Sequence, residues 1–345
     1  MMTVTDAPCA VMDRLPDAFL DCPADRLLDI LPGPTLFDLP GRDPRPLFVS
    51  TLLHGNEYSG LEAVQAVLRR HAARGLNRSL LLFIGNVRAA AANLRTLPGQ
   101  HDFNRVWPGT LHPDDPLADM ARWVYDHAAT RDLFASIDIH NNTGFNPHYS
   151  CVRKLDAKDI ALARLFSRIV VHFQRPVGTL AAAFATLCPS ITVECGKAGE
   201  GSATQHAIEL VEAALAIADL PDHPPAPHDV DLLRTCAIVK PPAEATFSFD
   251  GSPADFMFRP DIDRLNFSEL TPGASFGVAR AGMTLDILPG DGHDAPPDDY
   301  FAYDGGEITL MRPAIPAMLT VDPRAVKLDC LCYLMHRIGM DGARL

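Results

Sequence analysis

A chain of 345 residues can bury a large core, and 47% hydrophobic with 21% charged content is a globular composition, not a disordered one. A formal net charge of −13 without any basic stripe or block speaks against nucleic acid or an anionic membrane surface as partner. The start, Met1-Met2-Thr3-Val4-Thr5-Asp6, lacks a basic and then apolar signal peptide, no apolar run reaches the length of a membrane span, and the eight cysteines contain no CxxC pair, so a cytoplasmic protein with reduced thiols is expected.

Residues before Pro34 read as a partly helical lead-in around 25–31. Phe48 to Leu53 is an apolar, β-branched run that predicts a buried strand, and it stops at His54-Gly55-Asn56-Glu57. Ser59-Gly60-Leu61-Glu62 has the spacing of a capping box, opening a helix with Leu61, Val64, Val67, Leu68 and His71 on one face and a stop at Gly75. Leu80 to Ile84 predicts a second strand. The polar stretch from 92 to 115 is too long to be a mere connection. Pro116 marks a helix start, with Leu117, Met120, Trp123, Val124 and His127 on its apolar face.

Leu133 to His140 predicts a third strand, followed by a helix over 156–169 and a short strand over 170–173. Ser190 to Glu194 predicts another strand, and Ser202-Ala203-Thr204-Gln205 a capped helix reaching about 219. Alternating strands and helices imply an α/β domain with a mostly parallel sheet. Pro221 to Pro227 reads as a linker, and beyond it short β-like runs (274–279, 283–288, 307–311) are broken by Gly and Pro. The expected domains are 1–225, carrying the chemistry, and 226–345, a smaller β-rich domain. No internal repeat is visible.

Three predicted strands end in reactive residues: His54 with Glu57, His140, and Glu194. In an open α/β sheet, ligands bind outside the carboxyl ends of the strands, so parallel strands would gather these four along one edge. Two histidines and a carboxylate with an open position form the donor set of a catalytic zinc site. Asp138 stands two before His140 on one face of the strand, placed to support the imidazole. Glu194 suits a general base beside metal-bound water, and equally a helix-capping or ion-paired glutamate. Arg95, Asn104 and Arg105 lie in the long loop, where arginine beside an amide can grip a carboxylate, although solvated surface arginine is the simpler reading from spacing alone. His71 and His127 read as core or interface histidines, whereas the loop histidines His148 and His293 are candidates for lining the site. Cys195 beside Glu194 has no legible histidine partner that would make it a nucleophile.

HGNE (54–57), DFNR (102–105), DIHN (138–141) and VECG (193–196) occur in an order that resembles the succinylglutamate desuccinylase/aspartoacylase group of zinc carboxypeptidase-like hydrolases. The resemblance covers roughly residues 45 to 215, and extends more loosely to Leu270-Thr271-Pro272-Gly273. It implies a carboxypeptidase-like α/β fold, a mostly parallel mixed sheet flanked by helices, with a β-rich C-terminal domain restricting the entrance. It further implies one zinc ion on His54, Glu57 and His140, Glu194 as base to a zinc-activated water, Asn104 and Arg105 on the substrate carboxylate, and Arg95 at the oxyanion. Arg95 stands farther from DFNR than the family spacing, as if two residues were inserted, with Thr96-Leu97 in place of an aromatic. The tyrosine that family members bring from the C-terminal domain would be Tyr300 or Tyr303. The implied reaction is hydrolysis of the amide of a small N-acyl amino acid or similar N-acylated amine. A peptide-trimming zinc carboxypeptidase and a non-catalytic zinc-binding regulatory protein are the alternatives. The acyl group, the amine and whether the chain forms a homo-oligomer stay open.

Overall fold

The computed structural model describes residues 8–290 and 300–345; the first six residues read above for a signal, and His293, lie outside them. The chain divides into two compact units. The first comprises residues up to 141, 148–170 and 176–230; the second comprises 142–147, 171–175 and 231–345. Two short segments of the expected first domain therefore cluster with the second unit. For the segment 142–147 the reason is visible in its bonding: Thr143 Oγ1 donates to Thr320 Oγ1 at 2.9 Å, the Met318 N–H to Asn146 Oδ1 at 3.1 Å, and Asn266 Nδ2 to the Phe145 carbonyl at 3.2 Å.

In the first unit, β1 (Ala10–Met12), β2 (Thr35–Leu39), β3 (Gly41–Thr51), β4 (Leu76–Ile84), β5 (Ala135–His140), β6 (Tyr149–Val152) and β8 (Ser190–Glu194) lie in the order β1-β2-β4-β3-β5-β8-β6; β7 is the short strand Ile169–His172. The central β4, β3, β5 and β8 are all parallel, while β2 and β6 run antiparallel to their neighbours β4 and β8. Helices α1 (Ser59–His71), α2 (Val87–Ala91), α3 (Pro116–Ala129), α4 (Ala157–Arg164), α5 (Leu180–Phe184) and α6 (Gly201–Ala216) complete it. The near-continuous apolar runs of β3 and β4 follow from a parallel sheet covered on both faces. Beneath α3 and α5, Phe48, Phe83, Trp107, Met120, Val124 and Phe184 form one buried cluster.

Caps explain where several helices begin. Asp115 accepts from Leu117 N–H with Pro116 at the first helical position, and Asp156 accepts from Lys158 and Asp159 N–H. Neither expected capping box forms. α1 starts at Ser59 with Tyr58 as its cap residue, and Ser59 instead bonds Asn141; Glu62 accepts from Thr204 Oγ1 at 2.6 Å. Ser202 lies inside α6, and Gln205 donates to Glu209 at 2.7 Å. In each case a tertiary partner or a neighbouring turn outcompetes the local bond. His71 and His127 are half-buried: His71 Nε2 lies 2.8 Å from Glu212 Oε2, and His127 stacks on Trp123 at 5.3 Å.

The second unit is β-rich. β9 (Asp231–Lys240) pairs antiparallel with β13 (Asp286–Pro289) and β17 (Cys332–Arg337), and β17 with β16 (Ile315–Ala317). A five-stranded sheet runs β10 (Phe247–Ser248), β11 (Phe256–Phe258), β12 (Ser275–Ala279), β15 (Glu307–Leu310), β14 (Phe301–Asp304) over a phenylalanine-rich core, and α7 (Pro323–Leu328) lies between β16 and β17 in the chain. Among the described residues no helix is long and apolar enough to cross a membrane.

Asp159 of α4 is 2% exposed, and burial, reinforced by Asp156, pushes its carboxyl up to about 7 despite the Ser190 N–H it accepts. A carboxyl whose folded pKa is raised favours the protonated fold, so stability falls as pH rises from about 4 through about 7. Asp159→Asn should remove this decline, gaining on the order of 2 kcal/mol over the wild type at pH 8.5 and little at pH 4.5. Urea midpoints at the two pH values check it; an equal change at both would exclude the titration.

Candidate metal centre

The group is assembled from three chain positions. β3 delivers His54 through a turn in which Glu57 N–H donates to the His54 carbonyl at 3.1 Å, which brings the two side chains together. β5 ends on His140. Among the described residues, His54, Glu57 and His140 are the group able to hold a metal ion, their ligand atoms all within 4.8 Å of one another. All three are buried.

The imidazoles are arranged alike. His54 turns Nδ1 to Glu57 Oε1 at 2.8 Å and is backed at Nε2 by Asp102 Oδ1 at 2.9 Å. His140 turns Nδ1 to Glu57 Oε2 at 2.7 Å and is backed at Nε2 by Asp138 Oδ2 at 2.8 Å. The two Nδ1 atoms face each other at 3.1 Å. A carboxylate behind each ring favours the N–H on Nε2 and leaves both Nδ1 lone pairs directed at one point. With those tautomers, two lone pairs and a carboxylate can hold a cation between them, and nitrogen, nitrogen and oxygen suit zinc.

The electrostatics agree. Burial opposes the charge on Glu57, but His54 and His140 outweigh it and hold its carboxyl well below the usual range. Burial likewise opposes an imidazolium at His140, yet Asp138 and Glu57 raise its pKa well above normal. Asp102 is held low against burial by His54, Arg95 and Arg105. The centre thus attracts positive charge.

Glu194 is the strand partner of His140 across the β5–β8 ladder. Burial pushes its carboxyl up to about 8, Glu57 and Asp138 add to this, and His140 and Arg95 oppose it. Its Oε2 is buried with no hydrogen-bond partner among the described residues. Arg95 reaches the centre: its Nη1 lies 3.4 Å from Glu57 Oε1 and its Nη2 3.0 Å from Asp102 Oδ2.

Other expected residues stand differently. Asn104 is buried behind His140, with Nδ2 3.3 Å from Asp138 Oδ2 and 3.2 Å from His140 Nε2, while Oδ1 accepts from Leu180 N–H. It therefore braces the ligand shell before it can meet a substrate. Arg105, half-buried, donates to the Asn104 carbonyl at 2.8 Å. Tyr300 and Tyr303 belong to the second unit's hydrophobic core: Tyr300 is 2% exposed, and Tyr303 Oη accepts from Leu285 N–H at 2.8 Å. Packing uses both rings. His148 neighbours Gly196 and packs at 4.5 Å from His206, and burial, reinforced by His206, lowers its pKa. Cys195 is buried, which raises its thiol well above the normal value and removes it as a nucleophile.

Asp102, Ser50 and Asn141 do work that spacing did not assign. Ser50 Oγ donates to Asp138 Oδ1 at 2.8 Å. Asn141 N–H donates to Glu57 Oε2 at 3.2 Å, and its Nδ2 to Ser59 Oγ and the Gly196 carbonyl, both at 3.0 Å, joining the ends of β5 and β8 to the start of α1. Asp102 lies inside DFNR and Asn141 inside DIHN, but only long-range contacts assign them roles.

Fold and site together define an α/β protein with a buried His-Glu-His group able to hold a metal ion at the carboxyl edge of its parallel strands. The family described as "Succinylglutamate desuccinylase/Aspartoacylase catalytic domain" matches residues 44–218, just over half of the chain. The chain belongs to this family of hydrolases. Among solved structures, it is similar to the succinylglutamate desuccinylase of Chromobacterium violaceum (TM-score 0.56, 20% identity, covering 87% of this chain and 86% of that one). It is also similar to the succinylglutamate desuccinylase/aspartoacylase of Rhodobacter sphaeroides (0.58, 14%, 88% and 89%) and to murine aminoacylase 3 (0.54, 14%, 86% and 97%). At these identities the likeness is one of fold. No curated protein matches the sequence.

Replacing either backing carboxylate should loosen the metal. Asp102→Asn and Asp138→Asn are each expected to weaken zinc binding about 10–100-fold, as chelator competition would read. Unchanged affinity in both would mean that they do not tune the ligands.

Proposed function

We propose that the protein is a zinc-dependent deacylase that hydrolyses the amide of a small N-acyl amino acid or similar N-acylated amine, releasing a carboxylic acid and the free amino compound. The observation that carries this is Glu194 Oε2, a buried carboxylate oxygen without a hydrogen-bond partner, on the strand position paired with a metal-binding histidine. A purely structural metal site has no need of such an atom.

His54, Glu57 and His140 would hold the ion. When bound, zinc supplies Lewis acidity, polarising a carbonyl and lowering the pKa of water toward ~7. Glu194 takes the proton of the attacking water at Oε2 and returns it to the nitrogen as the C–N bond breaks, so the acyl carbon gains OH and the amine gains H. Burial raises its pKa in the metal-free protein, and a bound dication would favour the carboxylate that accepts the proton. Arg95, beside Glu57, supplies positive charge for the developing oxyanion. Arg105 is assigned to the carboxylate of the amino-acid part, with Asn104 fixing the loop that presents it. Tyr300 and Tyr303 are given no part.

A panel of N-acetyl and N-succinyl amino acids and short peptides, with the zinc-loaded protein, separates a deacylase from a peptidase and from a non-catalytic zinc protein. Glu194→Gln is expected to lower kcat by about 10²–10⁴ on the preferred substrate while keeping its metal. Full activity in that variant would remove Glu194 as base.

A further inference from the structure

Asn141 follows His140 directly and is 4% exposed. Its backbone N–H donates to Glu57 Oε2 at 3.2 Å, so its main chain alone serves the metal-binding group. Its side chain serves a different part of the site. Oδ1 accepts from Ser59 N–H at 3.2 Å, and Nδ2 donates to Ser59 Oγ and to the Gly196 carbonyl, both at 3.0 Å. The amide oxygen and both amide hydrogens are thereby engaged, a set that an isosteric aspartate lacks. Gly196 stands two residues after Glu194 with φ +83°, and the residue between them is pinned by Cys195 N–H donating to the His140 carbonyl at 2.9 Å. Further along the same turn, a Cβ on Gly199 would stand 2.9 Å from Oη of Tyr58, which lies between Glu57 and Ser59. The turn that follows Glu194 is therefore held against the turn that carries Glu57, and Asn141 is the polar strut between them.

We infer that the Asn141 side chain is a positioning group: it fixes the turn after β8, and with it Glu194, relative to Glu57. This rests on the deacylase function proposed above. A general base works over hydrogen-bond distances, and a displacement of about 1 Å caused by a residue outside the chemistry can cost ~10²-fold in rate. The two halves of Asn141 divide the task. Its main chain steadies a metal ligand, and its side chain steadies the base. Removing the side chain should slow the proton transfers without releasing the metal.

The test uses the full-length zinc-loaded protein and the N-acyl amino acid turned over fastest in the panel. Asn141→Ala should lower kcat by about 10–100-fold while KM, and zinc affinity read by chelator competition, each stay within about 3-fold. Zinc affinity falling in step with kcat would overturn the inference, since Asn141 would then be a support for the ligands. In a Glu194→Gln background, Asn141→Ala should cost nothing further, because residues that act as a unit are not additive. The same fold-loss in both backgrounds overturns the inference and leaves the deacylase standing. A second reading needs no activity: in the metal-free protein, amide hydrogen exchange at Cys195 and Glu200 should be at least about 10-fold faster in Asn141→Ala, with 135–140 unchanged. Equal exchange overturns the inference. Asn141→Asp keeps the acceptor for Ser59 N–H and cuts the link to Gly196, so it gives the same kcat and exchange readings where Asn141→Ala does not fold. If wild type turns over no member of the panel, the deacylase function falls, and the inference with it.

Discussion

Everything at the site depends on the pairing register of three parallel strands. Ser50 of β3 stands opposite Asp138 of β5, and His140 opposite Glu194 of β8. Side chains alternate faces with a period of two, so a slip of one residue would send His140 to the far side of the sheet, away from Glu194. The buried apolar residues between these positions resist such a slip, because it would exchange both faces of a sheet covered on both sides. Core packing and the geometry of the candidate site are therefore one constraint. α1 obeys it too: a Cβ on Gly60 would stand 2.5 Å from Thr51 Oγ1 and 3.0 Å from Ile139 Cβ, so only glycine lets the helix seat this closely behind the Glu57 turn.

The second organising principle is charge. Glu57, Asp102, Asp138 and Glu194 bring four carboxyl groups into one neighbourhood, answered by Arg95, Arg105 and two imidazoles. Three of the carboxyls are tied to imidazole nitrogens, and the fourth has a bare Oε2. The environments push these groups in opposite directions: Glu57 is held ionised, while Glu194 is pushed toward protonation. Carboxyls driven apart in this way divide between holding a cation and moving a proton. The division arises from placement, since all are ordinary Asp and Glu.

Much of this was legible before any coordinates. The HGNE turn, the i, i+2 spacing of Asp138 and His140, and the reactive ends of three apolar runs needed only strand periodicity and the parallel-sheet rule, because those patterns are local. Helix starts at Pro116 and Ala157 were legible for the same reason, through Asp115 and Asp156. The two capping boxes misled because Ser59 and Glu62 find tertiary partners in Asn141 and Thr204. A tyrosine of the core and a tyrosine of a site have the same sequence appearance, and only the structure places the rings of Tyr300 and Tyr303 in the second unit's core.

By itself the sequence determined the α/β alternation, the β-rich second part and the three residues able to bind a metal, since each follows from period, composition or spacing along a few residues. Only the tertiary structure decided that Asp102 backs His54, that Asn104 braces His140, and that the buried oxygens of Asn56 and Glu194 have no partner among the described residues. Those are contacts between residues 36 and 48 positions apart, or the lack of any contact. No local pattern encodes them; they exist only once the strands are in register.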